Sequence, residues 1–282
     1  MTDLERSVAF QGIRGAYSEK ACQEKLPGLL HLPMKSFEDV FQAVEDGRVR
    51  YGVIPVENSS AGVVADSYDL LAVHHLRILG EHFLRVRHAL LGLPGVALEE
   101  IRAVHSHPQA LMQCQRTIRS LGWDRIASYD TAGAARDLLS LGNREHAAIA
   151  SELCADLYGL SLLRRDLQDN HGNTTRFLVI GKEDNCPAIA EGLPCKTSLL
   201  FEVRNIPAAL YKCLGGFATN GVNLTRLESR PVPGKNWSYH FYLDFQGRPE
   251  DRASALAIEE LGFFTETLKI LGCYPEANNS VE

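Results

Sequence analysis

The sequence predicts an α/β protein in two units, a larger α/β domain followed by a small β-α-β-β-α-β domain. Three observations carry this. Over about the first 180 residues, short apolar strands alternate with amphipathic helices, the rhythm of βαβ units around a largely parallel sheet. A stretch with two prolines and a glycine but no strong periodicity, KEDNCPAIAEGLPC at 183–196, then breaks the rhythm and reads as a linker. Beyond it, six elements follow in the ferredoxin-like order.

In the first unit, Val8-Ala9-Phe10 reads as a strand that runs into a Gly-rich turn and a helix from about Ser18. Ser36 is an N-cap with Asp39 at the capping-box position; Val40, Phe41 and Val44 share one helical face, and Gly47 ends the helix. Tyr51 to Val56 is the next strand. Ile101 to Val104, a helix after Pro108, a helix after Asp130 and the strand Ala147 to Ala150 repeat the pattern. Periodicity leaves open whether these strands make one sheet or two.

In the second unit, Ser198 to Val203 is a strand. Leu210, Leu214, Phe217 and Ala218 fall on one helical face, and Asn220-Gly221 stops that helix. Val222 to Leu227 is a second strand. Trp237, Tyr239, Phe241, Leu243 and Phe245 alternate with more polar residues, as in a half-buried strand. Ala253, Leu256, Ala257 and Leu261 mark a helix, and Leu268 to Leu271 a last strand.

Composition narrows the function. The 282 residues are 45% apolar and 23% charged, with a formal net charge of -6. No Lys/Arg-rich run marks a nucleic-acid footprint. The longest apolar runs, such as His88 to Val96, are too short to span a bilayer. Met1 to Ser7 is polar, with Asp3 and Glu5, and lacks the layout of a secretory signal, so a cytoplasmic location is expected. The seven cysteines are scattered without a C-x-x-C pair, which supports neither a disulfide framework nor a zinc ribbon. The ten histidines show no metal-ligand spacing; no metal is expected.

Four segments carry candidate chemistry. Gly12-Ile13-Arg14-Gly15-Ala16-Tyr17-Ser18 leaves a strand and opens a helix, where free N–H groups can meet an anion; a plain tight turn has the same composition. Pro55-Val56-Glu57-Asn58-Ser59-Ser60-Ala61-Gly62 puts polar groups at a strand's C-terminal end, where α/β sheets bind ligands. His107-Pro108-Gln109-Ala110-Leu111-Met112-Gln113-Cys114 starts a helix at Pro108. Asn173-Thr174-Thr175-Arg176-Phe177 opens a strongly apolar strand. The arginine there reads either as a structural ion pair or as a fork that grips a carboxylate.

Taken in order, these segments resemble the prephenate dehydratase family: a G-x-x-G-x-Y-S turn, a P-x-E-N-S-x-x-G turn, an H-P-Q-A-L-x-Q-C helix and an N-x-T-R-F strand. The C-terminal unit resembles the ACT regulatory domain of these enzymes, with Glu228-Ser229-Arg230-Pro231 as its E-S-R-P signature. Ala208-Ala209-Leu210 stands where the family has G-A-L. The resemblance covers nearly the whole chain. It implies a two-lobed catalytic domain over 1–182, like a type II periplasmic binding protein. Lobe one is about 1–80 and 170–182, and lobe two about 81–169. The linker, an ACT domain over 197–275 and a tail over 276–282 follow. About ten residues precede the first motif, so no chorismate mutase segment is expected and the enzyme should be monofunctional.

The resemblance also implies a reaction: decarboxylating dehydration of prephenate to phenylpyruvate, driven by aromatisation and needing no cofactor. Thr175 carries the key role, read as a hydrogen-bond donor or proton relay at the leaving hydroxyl. Arg176, Asn58 and Glu57 complete the catalytic set, Glu57 being either catalytic or a brace for its loop. Gly15, Ala16, Tyr17, Ser18, Ser59, Gln113, Asn173 and Phe177 are expected around the substrate. His107 is an alternative proton source or simply a helix-start residue. L-Phenylalanine is the expected effector, bound where two copies meet in a homodimer or tetramer. Its site would use Asn205, Ala208, Ala209, Leu210, Asn223, Leu224, Glu228 and Ser229. Two alternatives stand: an arogenate dehydratase, and a non-catalytic two-lobed binding protein with an amino-acid sensor attached.

Overall fold

The computed structural model describes residues 6–232 and 234–277. The polar start expected over Met1–Ser7 and the tail expected over 276–282 therefore lie mostly outside the described residues. Among these residues the chain forms three sheets.

The first lobe runs through β1 (Ser7–Gln11), α1 (Tyr17–Lys25), β2 (Leu30–Met34), α2 (Phe37–Glu45), β3 (Tyr51–Asn58), the short β4 (Gly62–Val63), α3 (Ala65–Val73) and β5 (Arg77–Arg85). The capping box is present: Ser36 Oγ accepts from Asp39 N and the Asp39 carboxylate accepts from Ser36 N, both at 3.1 Å. Val40, Phe41, Ala43 and Val44 are the face of α2 that is buried. The second lobe holds β6 (Ala89–Gly92), β7 (Ala103–Ser106), α4 (Pro108–Gln113), α5 (Gln115–Leu121), β8 (Asp124–Ala127), α6 (Thr131–Leu141), β9 (His146–Ala150), α7 (Leu153–Tyr158) and β10 (Ser161–Arg164). The chain returns to the first sheet as β11 (Thr174–Gly181).

The two lobes have separate sheets, ordered β2-β1-β3-β11-β5 and β10-β6-β9-β7-β8. Each is mixed rather than largely parallel. Strands β1, β2 and β3 are parallel, as are β7, β8 and β9. The segments that connect the lobes add antiparallel strands: β11 against β3 and β5, and β6 against β9. The outward crossover was expected near Gly80, but β5 stays in the first sheet to Arg85. The change of lobe falls at 86–88, because β5 must continue to pair with β11. The return lies between Asp169, whose N–H bonds Gln113 in lobe two, and Asn173, whose carbonyl accepts from Val86.

The C-terminal unit comprises β12 (Cys195–Val203), α8 (Ala209–Thr219), β13 (Leu224–Pro231), β14 (Tyr239–Gln246), α9 (Arg252–Phe263) and β15 (Thr265–Pro275). Its sheet order, β13-β14-β12-β15, is the ferredoxin-like arrangement. The linker is shorter than expected, since β12 already includes Cys195 and Lys196. On α8 the buried face is Ala209, Cys213, Gly216 and Phe217. Ala218 is exposed, one step round from the face expected. Trp237 lies outside β14, 90% exposed. Phe241, Leu243 and Phe245 point to the helices as the alternation required.

The opposite face of this sheet is not solvent-exposed. Leu200, Tyr242, Leu271 and Tyr274 share a core with Ile78, Leu178 and Ile180 of the first lobe. The sheets approach so closely that a methyl group on Gly272 would lie 2.1 Å from the Ile78 carbonyl oxygen. Gly272→Ala should therefore destabilise the protein by at least about 1–3 kcal/mol, the usual cost of overpacking. Urea denaturation checks this; unchanged stability would mean the two sheets do not dock this way.

Candidate active site

Three of the four sequence motifs meet at one edge of the first sheet, and the fourth, 107–114, lies on α4 of the second lobe. β1, β2 and β3 end there and antiparallel β11 begins there, so Gly12, Lys35, Asn58 and Thr175 become neighbours along it. Binding sites of open α/β sheets form at such edges.

Register then sorts the four catalytic candidates into two pairs. Thr175 pairs with Asn58 and Arg176 with Glu57. Because strand side chains alternate, one pair faces α1 and the other faces the C-terminal unit.

On the α1 side, Asn58 is saturated. Its amide nitrogen donates to Thr175 Oγ1 at 2.9 Å and Asn173 Oδ1 at 2.8 Å, and its oxygen accepts from the N–H groups of Ser60 and Ala61. Thr175 Oγ1 is thus an acceptor towards Asn58, which leaves its own proton to donate elsewhere. Asn173 is 1% exposed, and its Nδ2 is a buried donor without a partner among the described residues. Such a group costs about 1–3 kcal/mol until an acceptor meets it. Thr175 and Asn173 therefore offer two donors side by side.

On the other side, Arg176 is fully engaged. Its guanidinium bonds Glu81 at 2.9 Å, Asp244 at 2.7 Å and Tyr274 Oη at 3.0 Å. Burial opposes its charge, but Asp244, Tyr274 and Glu81 hold its pKa above the ordinary value. Of the two readings left open for Arg176, ion pair or substrate fork, its contacts match the ion pair, which spans the two units, rather than a catalytic place at the substrate. Glu57 likewise turns away from Asn58 and pairs with Arg226 of β13. Glu57 braces its loop against the C-terminal unit.

Other candidates also move. Phe177 is core, packed with Val8, Phe10, Cys22 and Val53. Ser59 is exposed; its Oγ accepts from Thr174 N at 3.0 Å and its N donates to the Thr174 carbonyl, so it staples the strand end. The Gly15 N–H is occupied by Glu19 Oε2 at 2.6 Å, so it is not available to an anion. No side chain caps α1, whose N-cap is Ala16, and the N–H groups of Tyr17 and Ser18 open the helix. His107 is the N-cap of α4, accepting from Gln109 N, which accounts for its place in the motif.

Tyr17 and Gln113 are brought together by a residue that motif spacing did not single out. His88 contacts Tyr17 Oη through Nδ1 and Gln113 Oε1 through Nε2, each at 2.8 Å. A histidine opening an apolar run at a lobe crossover is the signal for it. Burial lowers its pKa, with the Gln113 bond opposing. Between the lobes, Gly12, Ala16, Tyr17 and Lys35 face Tyr129 and Arg136 across a cavity of about 570 Å³. With Arg176 turned away, the positive side chains at its border are Lys35 and Arg136, the latter also bonded to Asp137 at 2.8 Å, with Asp130 beside them. Burial pushes the Cys114 and Cys154 thiols up to about 12, so neither is a nucleophile at neutral pH.

The prephenate dehydratase family profile matches residues 8–185, the whole two-lobed unit. The chain belongs to this family. Among curated prephenate dehydratase relatives, a bifunctional N-acyl-homoserine lactone acylase/prephenate dehydratase from Komagataeibacter europaeus is 46% identical over 96% of each chain. An Arabidopsis thaliana chloroplastic arogenate dehydratase/prephenate dehydratase is 42% identical over 97% of this chain and 73% of its own. A solved prephenate dehydratase from Arthrobacter aurescens in complex with L-Phe is 29% identical, with a TM-score of 0.87 over 96% of this chain and 90% of that one.

The burial of Arg176 yields a direct test. Arg176→Met leaves buried Asp244 without its charged partner and Glu81 with Lys196 alone, and should cost about 3–5 kcal/mol in urea denaturation. Arg176→Lys should lose stability yet bind a prephenate-like dicarboxylate with an affinity close to the parent's. A selective loss of ligand affinity in Arg176→Lys, with stability intact, would return the side chain to the substrate.

Proposed function

We propose that the chain catalyses loss of water and carbon dioxide from prephenate to give phenylpyruvate. The carrying observation is the Asn58–Thr175 pair: Asn58 donates to Oγ1, so the threonine proton is left to meet the departing hydroxyl. A threonine hydroxyl is a poor acid at neutral pH. Its part is that of a fixed donor, or a relay, to oxygen as the C–O bond breaks. Decarboxylation supplies the electron pair that completes the ring, so no electron sink is required. The Asn173 amide, Gln113 and the opening N–H groups of α1 orient the two carboxylates, and Lys35 and Arg136 offset their charge.

The C-terminal unit is proposed to act as an ACT sensor that binds L-phenylalanine between two copies. Its topology and the L-Phe complex of the Arthrobacter relative support this. Within one chain the eight residues expected at that site do not all converge. Leu224 is level with Thr197, and Arg230 with Glu202, next to the 204–208 loop. Six residues of strand, about 20 Å, thus separate Leu224 from the level of that loop, while Glu228 and Ser229 lie at the loop's end of β13. A second copy laid across the edge of β13 would bring the separated residues together, which favours the homodimer.

The plant relatives raise arogenate as a competing substrate; the ratio of kcat/KM values on the two decides. The second activity named for the Komagataeibacter relative is a separate hypothesis for this chain, tested by release of homoserine lactone from an N-acyl-homoserine lactone. It would add an activity without altering the dehydratase site.

Incubation with prephenate should generate phenylpyruvate absorbance. Thr175→Ala should lower kcat about 10²–10³-fold, or about 2.7–4 kcal/mol, with a smaller effect on KM. A parent that binds prephenate without turnover, or a Thr175→Ala variant altered only in KM, would refute this mechanism.

A further inference from the structure

The crossover between the lobes holds a buried histidine that the proposed chemistry leaves unused. His88 is 2% exposed and lies between β5 and β6. All its polar groups are engaged. Its N–H donates to Gln168 Oε1 at 2.8 Å and its carbonyl accepts from Leu167 N at 2.9 Å. Nδ1 meets Tyr17 Oη and Nε2 meets Gln113 Oε1, and the Tyr17 ring stands edge-on to the imidazole at 5.5 Å. Tyr17 opens α1 in one lobe; Gln113 closes α4 in the other. One imidazole thus joins, across the hinge, two residues placed at the substrate.

The hydrogen bonds have a direction. Gln113 Oε1 can only accept, so Nε2 carries the proton. Burial disfavours a second proton, so Nδ1 is a lone pair. Tyr17 Oη then donates to Nδ1, although the Arg87 carbonyl, also at 2.8 Å, competes for that proton. With its oxygen on the imidazole, half-buried Gln113 has its NH₂ left for a ligand. An amide donor suits a dianion. The opposite tautomer would invert the amide and turn a carbonyl oxygen towards a carboxylate.

We infer that His88 is a positioning residue: it fixes the Gln113 amide so that an N–H donor meets a substrate carboxylate, and ties that grip to Tyr17 in the other lobe. This rests on the dehydratase assignment above.

Steady-state kinetics on the full chain with prephenate test it. His88→Asn keeps a polar group near the Nδ1 position but cannot reach Gln113; KM should rise about tenfold, the worth of one well-placed hydrogen bond, with kcat little changed. Gln113→Ala should do the same, and the double variant should be no worse than either single one. His88→Gln, which places an amide near the Nε2 position, should recover most of the affinity. Additive effects, or a loss confined to thermal stability, would overturn the inference. ¹⁵N NMR of histidine-labelled parent protein is the second measurement and does not depend on turnover. A neutral His88 ring protonated at Nε2 near neutral pH supports the device, and an Nδ1–H or doubly protonated ring refutes it. Absence of prephenate turnover in the parent would refute the dehydratase assignment instead, while the tautomer would still decide how Gln113 is held.

Discussion

The structure depends on one buried ion cluster. Glu81, fully buried, accepts from Arg176 and from Lys196 at 2.8 Å; Arg176 reaches Asp244, and Ser198 bonds both Asp244 and Tyr274. Charges so far from water are tolerable only when each has its partner. A slip of the C-terminal sheet by one residue would strand all of them, so the cluster sets how that sheet lies on β5 and β11. The packing around it agrees: Gly272 passes against Ile78, and Tyr242 Oη donates to the Tyr68 carbonyl at 2.5 Å.

That constraint has a consequence for function, because β11 has two faces. Arg176 belongs to the ion cluster and Thr175, the next residue, to the proposed chemistry. β3 repeats the arrangement, with Glu57 paired to Arg226 and Asn58 holding Thr175. A third contact, Arg230 to Asp69 at 2.9 Å, joins the same strand β13 to α3. The strand proposed to sense phenylalanine is thus one side chain away from the loop that orients the reacting hydroxyl. A ligand that shifts β13 needs no long pathway to change the cleft.

Much of this was legible in the sequence. The strand and helix rhythm, the Ser36 cap and the β-α-β-β-α-β order follow from local rules that tertiary contacts did not override. Residues of three motifs did gather at one sheet edge, with the fourth motif on α4 in the other lobe. What local rules could not supply was direction. Asn58 and Glu57, or Thr175 and Arg176, are adjacent letters, and only pairing register shows that alternation sends them to opposite faces. Nor could periodicity show that the second face of the C-terminal sheet is covered. Nothing in the local pattern singles out Glu81, Lys196 or Asp244, and Lys196 reads as the last linker residue, until the partner sheet is in place. His88 was visible as a histidine but not as a link between lobes, since its partners are 71 and 25 residues away.

The most direct test of this coupling is equilibrium binding of a non-reacting prephenate-like dicarboxylate, with and without saturating L-phenylalanine, to the parent and to Arg226→Met. In the parent, phenylalanine should change the affinity about 5- to 150-fold, the usual range of allosteric coupling. The dicarboxylate should change phenylalanine affinity by the same factor. In Arg226→Met both ligands should still bind, with most of the coupling gone. Identical dicarboxylate affinity with and without phenylalanine in the parent, or undiminished coupling in Arg226→Met, would contradict it.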